Sequence, residues 1–359
     1  MSANTNSEKR KKFIMTPHLG RLKRDTMKKI PTGIIGISIL TLALAGFLGA
    51  YFWTSYSGGE IGISIQEKML SVHDDLFGIN GGTGGNNWIV GKYGLILHTN
   101  DGGRKWEKQE SGTGQVLLGV SFADDRVGFA VGGGGVILAT PDGGASWTMQ
   151  RPGEEQLLGV QALDKTRAYA VGAFGSFFAT SDGGKTWNRY KFTWEKLIPR
   201  IIEELGGNIE PNLNAVHFVT KEIGWIVGEF GLILHTGDGG RTWALQRGGR
   251  NLPQLCAVIF RDERQGWAIG QEGTLLWTKD GGQHWFQSEL GIKRDLYAAA
   301  LEGERVVFVG DRLFLKTENG GSNWTRKDFA ENVVFNAVSL MGKSATAVGL
   351  GGVIRPLDQ

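Results

Sequence analysis

The residues with the most evident chemical potential are acids that recur in the pattern Thr-x-Asp-Gly-Gly-x-x-Trp, called the box below. A carboxylate can act as a general acid or base, or as a metal ligand. It can instead accept hydrogen bonds from nearby backbone N–H groups and stabilise a tight turn. Asparagine replaces the acid in the sixth box and keeps the turn-capping oxygen, which favours the structural role. The box acids and this asparagine are Asp101, Asp142, Asp182, Asp238, Asp280 and Asn319.

The remaining reactive side chains do not predict a catalytic or metal site. Cys256 lies in an apolar run and is expected in the core. The six histidines show no metal-ligand spacing with the cysteine or with one another. Residues 183–186 resemble the end of a phosphate-binding loop, but Ala179 stands where its first glycine would be. The sequence therefore predicts no catalytic residue, no metal and no cofactor.

The boxes belong to a longer repeat, which indicates the fold. Successive box acids are 41, 40, 56, 42 and 39 residues apart, close to the length of one propeller blade. Each repeat contains four short apolar stretches separated by turn residues, the pattern of a four-stranded antiparallel blade. The tryptophan of each box is expected on the outer strand, packed against a neighbouring sheet. These tryptophans are Trp106, Trp147, Trp187, Trp243, Trp285 and Trp324.

A second repeated element indicates the number of blades. An apolar run before each box ends in glycine, and a two-residue gap leads to the next run. This glycine occurs seven times, once more than the box, so the last repeat lacks its outer strand. We predict an all-β, seven-bladed β-propeller over residues 61–359, with Ile61–Gln66 pairing with the last repeat to close the ring. The glycines are Gly91, Gly132, Gly172, Gly228, Gly270, Gly310 and Gly349.

The first sixty residues predict a membrane anchor. Residues 1–30 form a basic tail of net charge +7, from nine Lys or Arg and two acids. Residues 31–53 carry no charge and are long enough for one N-terminal transmembrane helix in the lipid bilayer, followed by a linker at 54–60. The basic tail is expected in the cytoplasm and the propeller on the periplasmic side of the inner membrane. The alternative is a signal peptide cleaved near residues 43–45.

Charge excludes one class of partner. With a tail of +7 and a total of +3, the remaining chain has a net charge of −4. The body is therefore not expected to bind nucleic acid.

One segment interrupts the period between the third and fourth boxes. The extra residues lie at about 191–211, and six apolar side chains there follow a helical spacing, with Pro199 expected to kink or start the helix. Two alternatives remain: the helix packs on the propeller rim, or its apolar face docks a partner or the bilayer. The apolar residues are Trp194, Leu197, Ile198, Ile201, Ile202 and Leu205.

Antiparallel strand order places this insertion beside the turns between second and third strands and the connections between blades. That end of the propeller also carries aromatic and basic residues, so it is a candidate docking surface. Three arginines from the inter-blade loops complete the candidate partner-binding set: Arg247, Arg250 and Arg294.

The boxes and the Val-Gly turns together resemble the photosystem II stability/assembly factor family of Asp-box, or BNR, propellers, over residues 61–355. The resemblance implies a non-enzymatic protein that binds and helps to assemble or stabilise an integral membrane protein complex. The predicted anchor and tail depart from that family, so the partner is not identified. The alternatives are a permanent accessory subunit of a transporter or envelope complex, and a glycan-binding or glycosidase-type propeller.

Overall fold

The computed structural model describes residues 74–341 and 344–358, which form seven antiparallel sheets in chain order. The first strands of successive sheets lie side by side, and β1 also lies beside the first strand of the seventh sheet, so the sheets form a closed ring. The predicted all-β seven-bladed propeller is confirmed.

Sheets 1 to 3 contain four strands each, with the first strand innermost. Sheet 1 consists of β1 Leu76–Gly81, β2 Asn87–Gly91, β3 Ile96–Thr99 and β4 Glu107–Gln109. Sheet 2 consists of β5 Leu117–Phe122, β6 Gly128–Gly132, β7 Ile137–Thr140 and β8 Thr148–Gln150. Sheet 3 consists of β9 Leu157–Ala162, β10 Ala168–Gly172, β11 Phe177–Thr180 and β12 Asn188–Tyr190.

Sheets 4 to 6 repeat this arrangement, and sheet 7 has three strands in the described part of the chain. Sheet 4 consists of β13 Leu213–Phe218, β14 Gly224–Gly228, β15 Ile233–Thr236 and β16 Ala244–Arg247. Sheet 5 consists of β17 Leu255–Phe260, β18 Gly266–Gly270, β19 Leu275–Thr278 and β20 Phe286–Gln287. Sheet 6 consists of β21 Leu296–Glu302, β22 Arg305–Gly310, β23 Leu313–Thr317 and β24 Thr325–Asp328. Sheet 7 consists of β25 Phe335–Met341, β26 Ser344–Gly349 and β27 Ile354–Pro356.

The seven glycines that the sequence repeat predicts, Gly91 to Gly349, each end the second strand of a sheet. None of them has a left-handed φ, so the requirement is space rather than backbone freedom. A Cβ atom on Gly132 would lie 1.9 Å from the carbonyl oxygen of Val116, and one on Gly349 would lie 1.9 Å from that of Val334. Only glycine lets the end of the second strand approach the first strand this closely.

Antiparallel pairing gives the propeller two ends. One end, called the turn face below, carries the turns between the second and third strands, the connections between sheets and the helical insertion. The other end carries the boxes, each lying between the third and fourth strands. In the insertion, helix α1 spans Trp194–Leu197 and helix α2 spans Pro199–Leu205. Proline occupies the first turn of α2, where its missing N–H costs no helical hydrogen bond, so Pro199 starts a helix as expected.

Adjacent sheets are held together by stacked aromatic rings. Trp225 on β14 stacks on Phe260 of the next sheet, with ring centroids 3.5 Å apart. Phe260 in turn meets Trp285, the box tryptophan of its own sheet, edge to face at 5.8 Å. Trp88, Phe122 and Trp147 repeat the arrangement between sheets 1 and 2, and Tyr169, Phe218 and Trp243 repeat it between sheets 3 and 4.

The described residues also join sheet 7 to sheet 1. The side chain of Asn336 donates to the carbonyl oxygen of Leu76 at 2.9 Å, and the N–H of Gly351 donates to Asp75 at 2.8 Å. The predicted closing strand Ile61–Gln66 lies outside the described residues, as do the basic tail 1–30, the predicted span 31–53 and the linker 54–60. Within residues 74–341 and 344–358, no helix is both long and apolar enough to cross a bilayer.

Candidate functional site

Each box closes a turn with its own side chains. In the third box, the hydroxyl of Thr180 donates to Asp182 at 2.8 Å and accepts the N–H of Gly184 at 3.0 Å. Asp182 also accepts the backbone N–H of Thr186 at 3.0 Å and its hydroxyl at 2.6 Å. In the sixth box, Asn319 accepts the hydroxyl of Thr317 at 2.8 Å through its amide oxygen. Asparagine therefore performs the same turn-closing role.

These hydrogen bonds keep the box acids ionised. The hydroxyl and then the backbone N–H of Thr186 lower the pKa of Asp182 to about 2. The backbone N–H and then the side chain of His284 lower the pKa of Asp280 to about 2. A general acid working near neutral pH needs a raised pKa, so these carboxyls are unsuited to that role. The boxes are also distributed over successive sheets and do not surround a common cavity.

The box tryptophans lie between neighbouring sheets. Trp106 is fully buried and Trp243 nearly so. Trp147 and Trp187 are half-buried and pack against cores that include residues of the preceding sheet. Trp285 and Trp324 pack in the same way in later sheets. Their predicted location at the sheet interfaces agrees with these contacts.

Interior reactive groups do not form a site in the described part of the chain. Burial raises the pKa of the Cys256 thiol to about 12, so it is protonated at neutral pH. Burial lowers the pKa of His217 to about 4, and its ring lies 3.2 Å from the carbonyl oxygen of Phe260 in the next sheet. Residues 74–341 and 344–358 hold no group of His, Cys, Asp or Glu side chains that could bind a metal ion.

The turn face carries a set of strained residues, called the tip residues below. In each turn between the second and third strands, the residue two positions after the strand-ending glycine has a left-handed conformation, with φ between 51° and 67°. Glycine adopts this conformation freely, but for other residues it costs about 1–2 kcal/mol of conformational free energy. Five of the seven tips in the described residues are not glycine. The tip residues are Tyr93, Gly134, Phe174, Phe230, Glu272, Arg312 and Gly351.

The aromatic tips differ in exposure. Tyr93 is 75% exposed and Phe174 is 62% exposed, whereas Phe230 packs against the core beneath the insertion. The sequence placed these residues on this face but did not reveal their conformation. The sequence does contain a sign of the left-handed conformation, because glycine stands at the equivalent position in the second and seventh repeats.

The helical insertion packs on the propeller. Trp194, Ile198 and Ile201 are buried in one apolar cluster with side chains of sheets 3 and 4, and Leu197 and Ile202 pack against it. The ring of Trp194 would lie 2.8 Å from a Cβ atom on Gly175, so it covers that turn directly.

Of the two sequence-based alternatives, the structure therefore shows the rim-packed one. The propeller buries Trp194, Ile198 and Ile201, so these three side chains are not available to a partner in this structure, whereas Leu197 and Ile202 are partly covered. Leu205, which is 39% exposed, is the member of the set that remains at the surface.

The three candidate arginines have different surroundings. Arg250 is exposed at the turn face. Arg247 ends β16, is half-buried and donates to the carbonyl oxygen of Gly231 at 3.1 Å, and burial lowers its pKa. Arg294 donates to the carbonyl oxygen of the tip residue Arg312 at 3.1 Å. Arg247 and Arg294 therefore support the turns, and Arg250 is the freely presented cation of the three.

Sequence reasoning missed a set of glutamines that bridge adjacent sheets. Gln109, at the end of β4, donates to the carbonyl oxygen of Gly143 at 3.0 Å and accepts the indole N–H of Trp147 at 3.2 Å. Gln246 makes the same pair of bonds to Gly281 and Trp285, at 2.8 and 3.3 Å. The signal in the sequence is glutamine three residues after the box tryptophan.

The family model described as photosynthesis system II assembly factor YCF48 matches residues 148–254 and 251–341. None of the curated proteins matches the chain.

Solved structures share the fold at low sequence identity. YCF48 from Cyanidioschyzon merolae is 22% identical, with a TM-score of 0.64 over 80% of this chain and 97% of that one. A structure of YCF48 bound to D1 peptide is 18% identical, with a TM-score of 0.62 over 80% and 94%. The Cps50 (Swd1) β-propeller domain of Myceliophteria thermophila is 12% identical, with a TM-score of 0.61 over 81% and 98%.

The two family matches overlap and together span residues 148–341, more than half of the chain. They cover boxes, sheet-ending glycines and the insertion alike. On this evidence the chain belongs to the photosynthesis system II assembly factor YCF48 family.

Proposed function

We propose that this chain is a non-enzymatic propeller whose turn face binds a segment of a membrane protein and helps to assemble or stabilise the complex containing it. The family match supports an assembly role. The similar structure of YCF48 bound to D1 peptide supports a peptide segment as the bound element. The hydrogen-bonded, ionised box acids support the absence of catalysis.

The observation that carries the proposal is the strain at the exposed tips. Tyr93 and Phe174 hold left-handed conformations with φ of 55° and 52°, although glycine fills the same position elsewhere in the ring. Their exposed rings add little core packing to offset this cost. Strained residues concentrate at functional sites, and tyrosine and arginine are over-represented among residues that dominate binding energy. The exposed rings and Arg250 on the same face are suited to holding an extended segment.

The proposal also includes the membrane and the compartment in which the propeller would meet its partner. The uncharged stretch 31–53 would anchor the propeller in the inner membrane, and the basic tail would keep its N-terminus in the cytoplasm. The propeller would then meet its partner on the periplasmic side, close to the bilayer. A permanent accessory subunit would use the same surface. Stoichiometric recovery after purification in mild detergent would identify a permanent subunit, and substoichiometric recovery would identify a transient assembly factor.

The test replaces both exposed tips with the residue that their backbone favours. We expect the full-length Tyr93→Gly, Phe174→Gly variant to recover about tenfold less membrane-protein partner in a pull-down from detergent extract, since two exposed aromatic contacts are lost. Its free energy of unfolding should stay the same or rise by about 1 kcal/mol, because glycine relieves the left-handed strain.

Met149→Ala is the matched control, because Met149 is exposed on β8, outside the turn face. This variant should recover the partner as the unmodified chain does. Unchanged recovery by the double glycine variant would reject the turn face as the binding surface. Loss of stability in that variant would reject the assignment of strain to these tips.

A further inference from the structure

The interfaces between sheets contain a repeated pocket that the chain fills with its own glutamine. Between sheets 1 and 2, the carboxamide of Gln109 lies so close to Gly144 that a Cβ atom there would be 2.0 Å from its oxygen. Between sheets 4 and 5, the oxygen of Gln246 would be 2.1 Å from a Cβ atom on Gly282. In both places the carboxamide donates to a box glycine and accepts from the box tryptophan.

Between sheets 5 and 6, serine stands where the glutamine would be. Ser288 follows Trp285 by three residues, as Gln246 follows Trp243. Its short side chain leaves a cavity of about 180 Å³, whose lining includes Trp277, Gly321 and Trp324. The three atoms nearest to a Cβ atom on Gly321 would all belong to Trp267, at 3.3 to 3.6 Å, whereas the nearest atom at Gly144 and at Gly282 belongs to a glutamine.

The cavity keeps the hydrogen-bonding groups that the glutamine uses elsewhere. Trp324 is half-buried and makes no hydrogen bond to a protein group within residues 74–341 and 344–358, so its indole N–H is open to an added acceptor. The carbonyl oxygen of Gly320 accepts the side chain of Gln265 at 2.8 Å and has a second lone pair. Trp324 and Gly320 both line the cavity, so a donor and an acceptor of the kinds that the glutamines use elsewhere are present there.

The cavity opens on a groove that can admit a chain. The outer strand here, β20, has two residues, whereas the equivalent strands of the other four-stranded sheets have three or four. A second, more open cavity of about 510 Å³ adjoins the first at Ser288 and extends to Gly273 and Ile292. The exposed ring of Phe286 lies on the same strand.

We propose that the cleft between sheets 5 and 6 is a binding site for a glutamine side chain carried by an extended segment of a partner protein. The carboxamide would accept from Trp324 and donate to Gly320, as Gln109 and Gln246 do within the chain. The inference deepens the proposed function, on which it rests for the nature of the occupant. It adds a second contact point, at the interface of sheets 5 and 6 and distinct from Tyr93 and Phe174.

The test follows the indole N–H signals of the isotope-labelled full-length chain by two-dimensional NMR. The Trp324→Phe variant identifies the signal of Trp324. The probe is the tripeptide acetyl-Gly-Gln-Gly-amide at millimolar concentration, with acetyl-Gly-Met-Gly-amide as a control of similar length that lacks the carboxamide. We expect the glutamine peptide to shift the Trp324 signal downfield in a saturable way, and the methionine peptide to bind at least about tenfold more weakly, the worth of about 1.4 kcal/mol.

The Ser288→Gln variant supplies the missing carboxamide from the chain itself. Its Trp324 signal should lie downfield without peptide and should not respond to the glutamine peptide. The proposal is overturned if the peptide leaves the Trp324 signal in place, if methionine binds equally well, or if Ser288→Gln still responds. Because the tripeptide lacks a partner's other contacts, failure here does not reject the proposed function, which the pull-down on the tip residues tests separately.

Discussion

At the scale of single residues, each box acid closes a turn with its carboxylate. The same carboxylate makes the stability of the folded chain sensitive to acid. It accepts several hydrogen bonds that exist only in the folded chain, so the folded pKa lies below the unfolded value near 3.9. A depressed carboxyl pKa contributes stability above the unfolded pKa and loses it as the pH falls through the folded pKa. The loss for Asp182 and Asp280 should therefore occur between about pH 4 and pH 2.

Asp182→Asn tests this linkage. The amide keeps an acceptor, as Asn319 shows, but cannot titrate. We expect the free energy of unfolding, measured by urea titration from pH 2 to pH 5, to fall less steeply with acid than in the unmodified chain. The difference should correspond to about one proton fewer taken up on unfolding.

Asn319→Asp is the reciprocal variant, since it introduces a titrating carboxyl into the one box that lacks it. Its unfolding free energy should fall more steeply below pH 4. Parallel pH profiles for the three proteins would mean that the box carboxylates do not contribute to the acid sensitivity of the fold.

At the scale of elements, the insertion is a part of the sheet 3 and sheet 4 core rather than a free arm. Its apolar spacing, read from the sequence, identified the side that would be buried but not what would bury it. The apolar cluster with sheets 3 and 4 supplies the answer, because it contains Trp194, Ile198 and Ile201. The charged side chains of Glu195, Lys196, Arg200 and Glu203 are exposed.

Trp194→Ala distinguishes packing from docking. Trp194 is buried, stacks on Phe192 at 4.6 Å and covers Gly175. We expect its removal to lower the free energy of unfolding by about 3 kcal/mol, measured by urea denaturation. Leu205→Ala, on the exposed side of the same insertion, should change it by less than about 0.5 kcal/mol. Equal and small effects would contradict the rim-packed insertion.

The repeat made the sheets predictable because each element is local. The glycines that end the second strands, the box turns and the helix start at Pro199 follow from residues a few positions apart. The stacks of Trp225 on Phe260 and the bridges of Gln109 to Trp147 join residues 35 and 38 positions apart in different repeats. Periodicity shows that such positions are equivalent, but contact between neighbouring sheets decides which of them touch.

At the scale of the whole molecule, sheet 7 and its interface with sheet 1 differ from the other sheets and interfaces. The described part of this sheet has three strands, whereas the others have four. Trp106 of the neighbouring sheet 1 is fully buried, and its indole N–H has no acceptor among the described residues. At two other interfaces the glutamine of the preceding outer strand supplies that acceptor.

The predicted closing strand contains the missing group in the matching order. Ser64-Ile65-Gln66 resembles Thr148-Met149-Gln150 and Ala244-Leu245-Gln246, with glutamine last. We therefore predict that Gln66 accepts the indole N–H of Trp106 when Ile61–Gln66 pairs with β27. Gln66→Ala should lower the free energy of unfolding by about 1 kcal/mol, the usual worth of such a hydrogen bond, measured by urea denaturation of the full-length chain.

A double-mutant cycle separates this bond from a general effect of the substitution. Trp106→Phe keeps an aromatic ring but removes the N–H, so Gln66→Ala should cost little more in that background. A coupling energy of about 1 kcal/mol would place residue 66 against sheet 1. Sheet 7 would then combine a strand from the N-terminal part of the propeller sequence with strands from its C-terminal part. Additive losses would show that the ring is closed by some other segment, and Trp106 would then need a different acceptor.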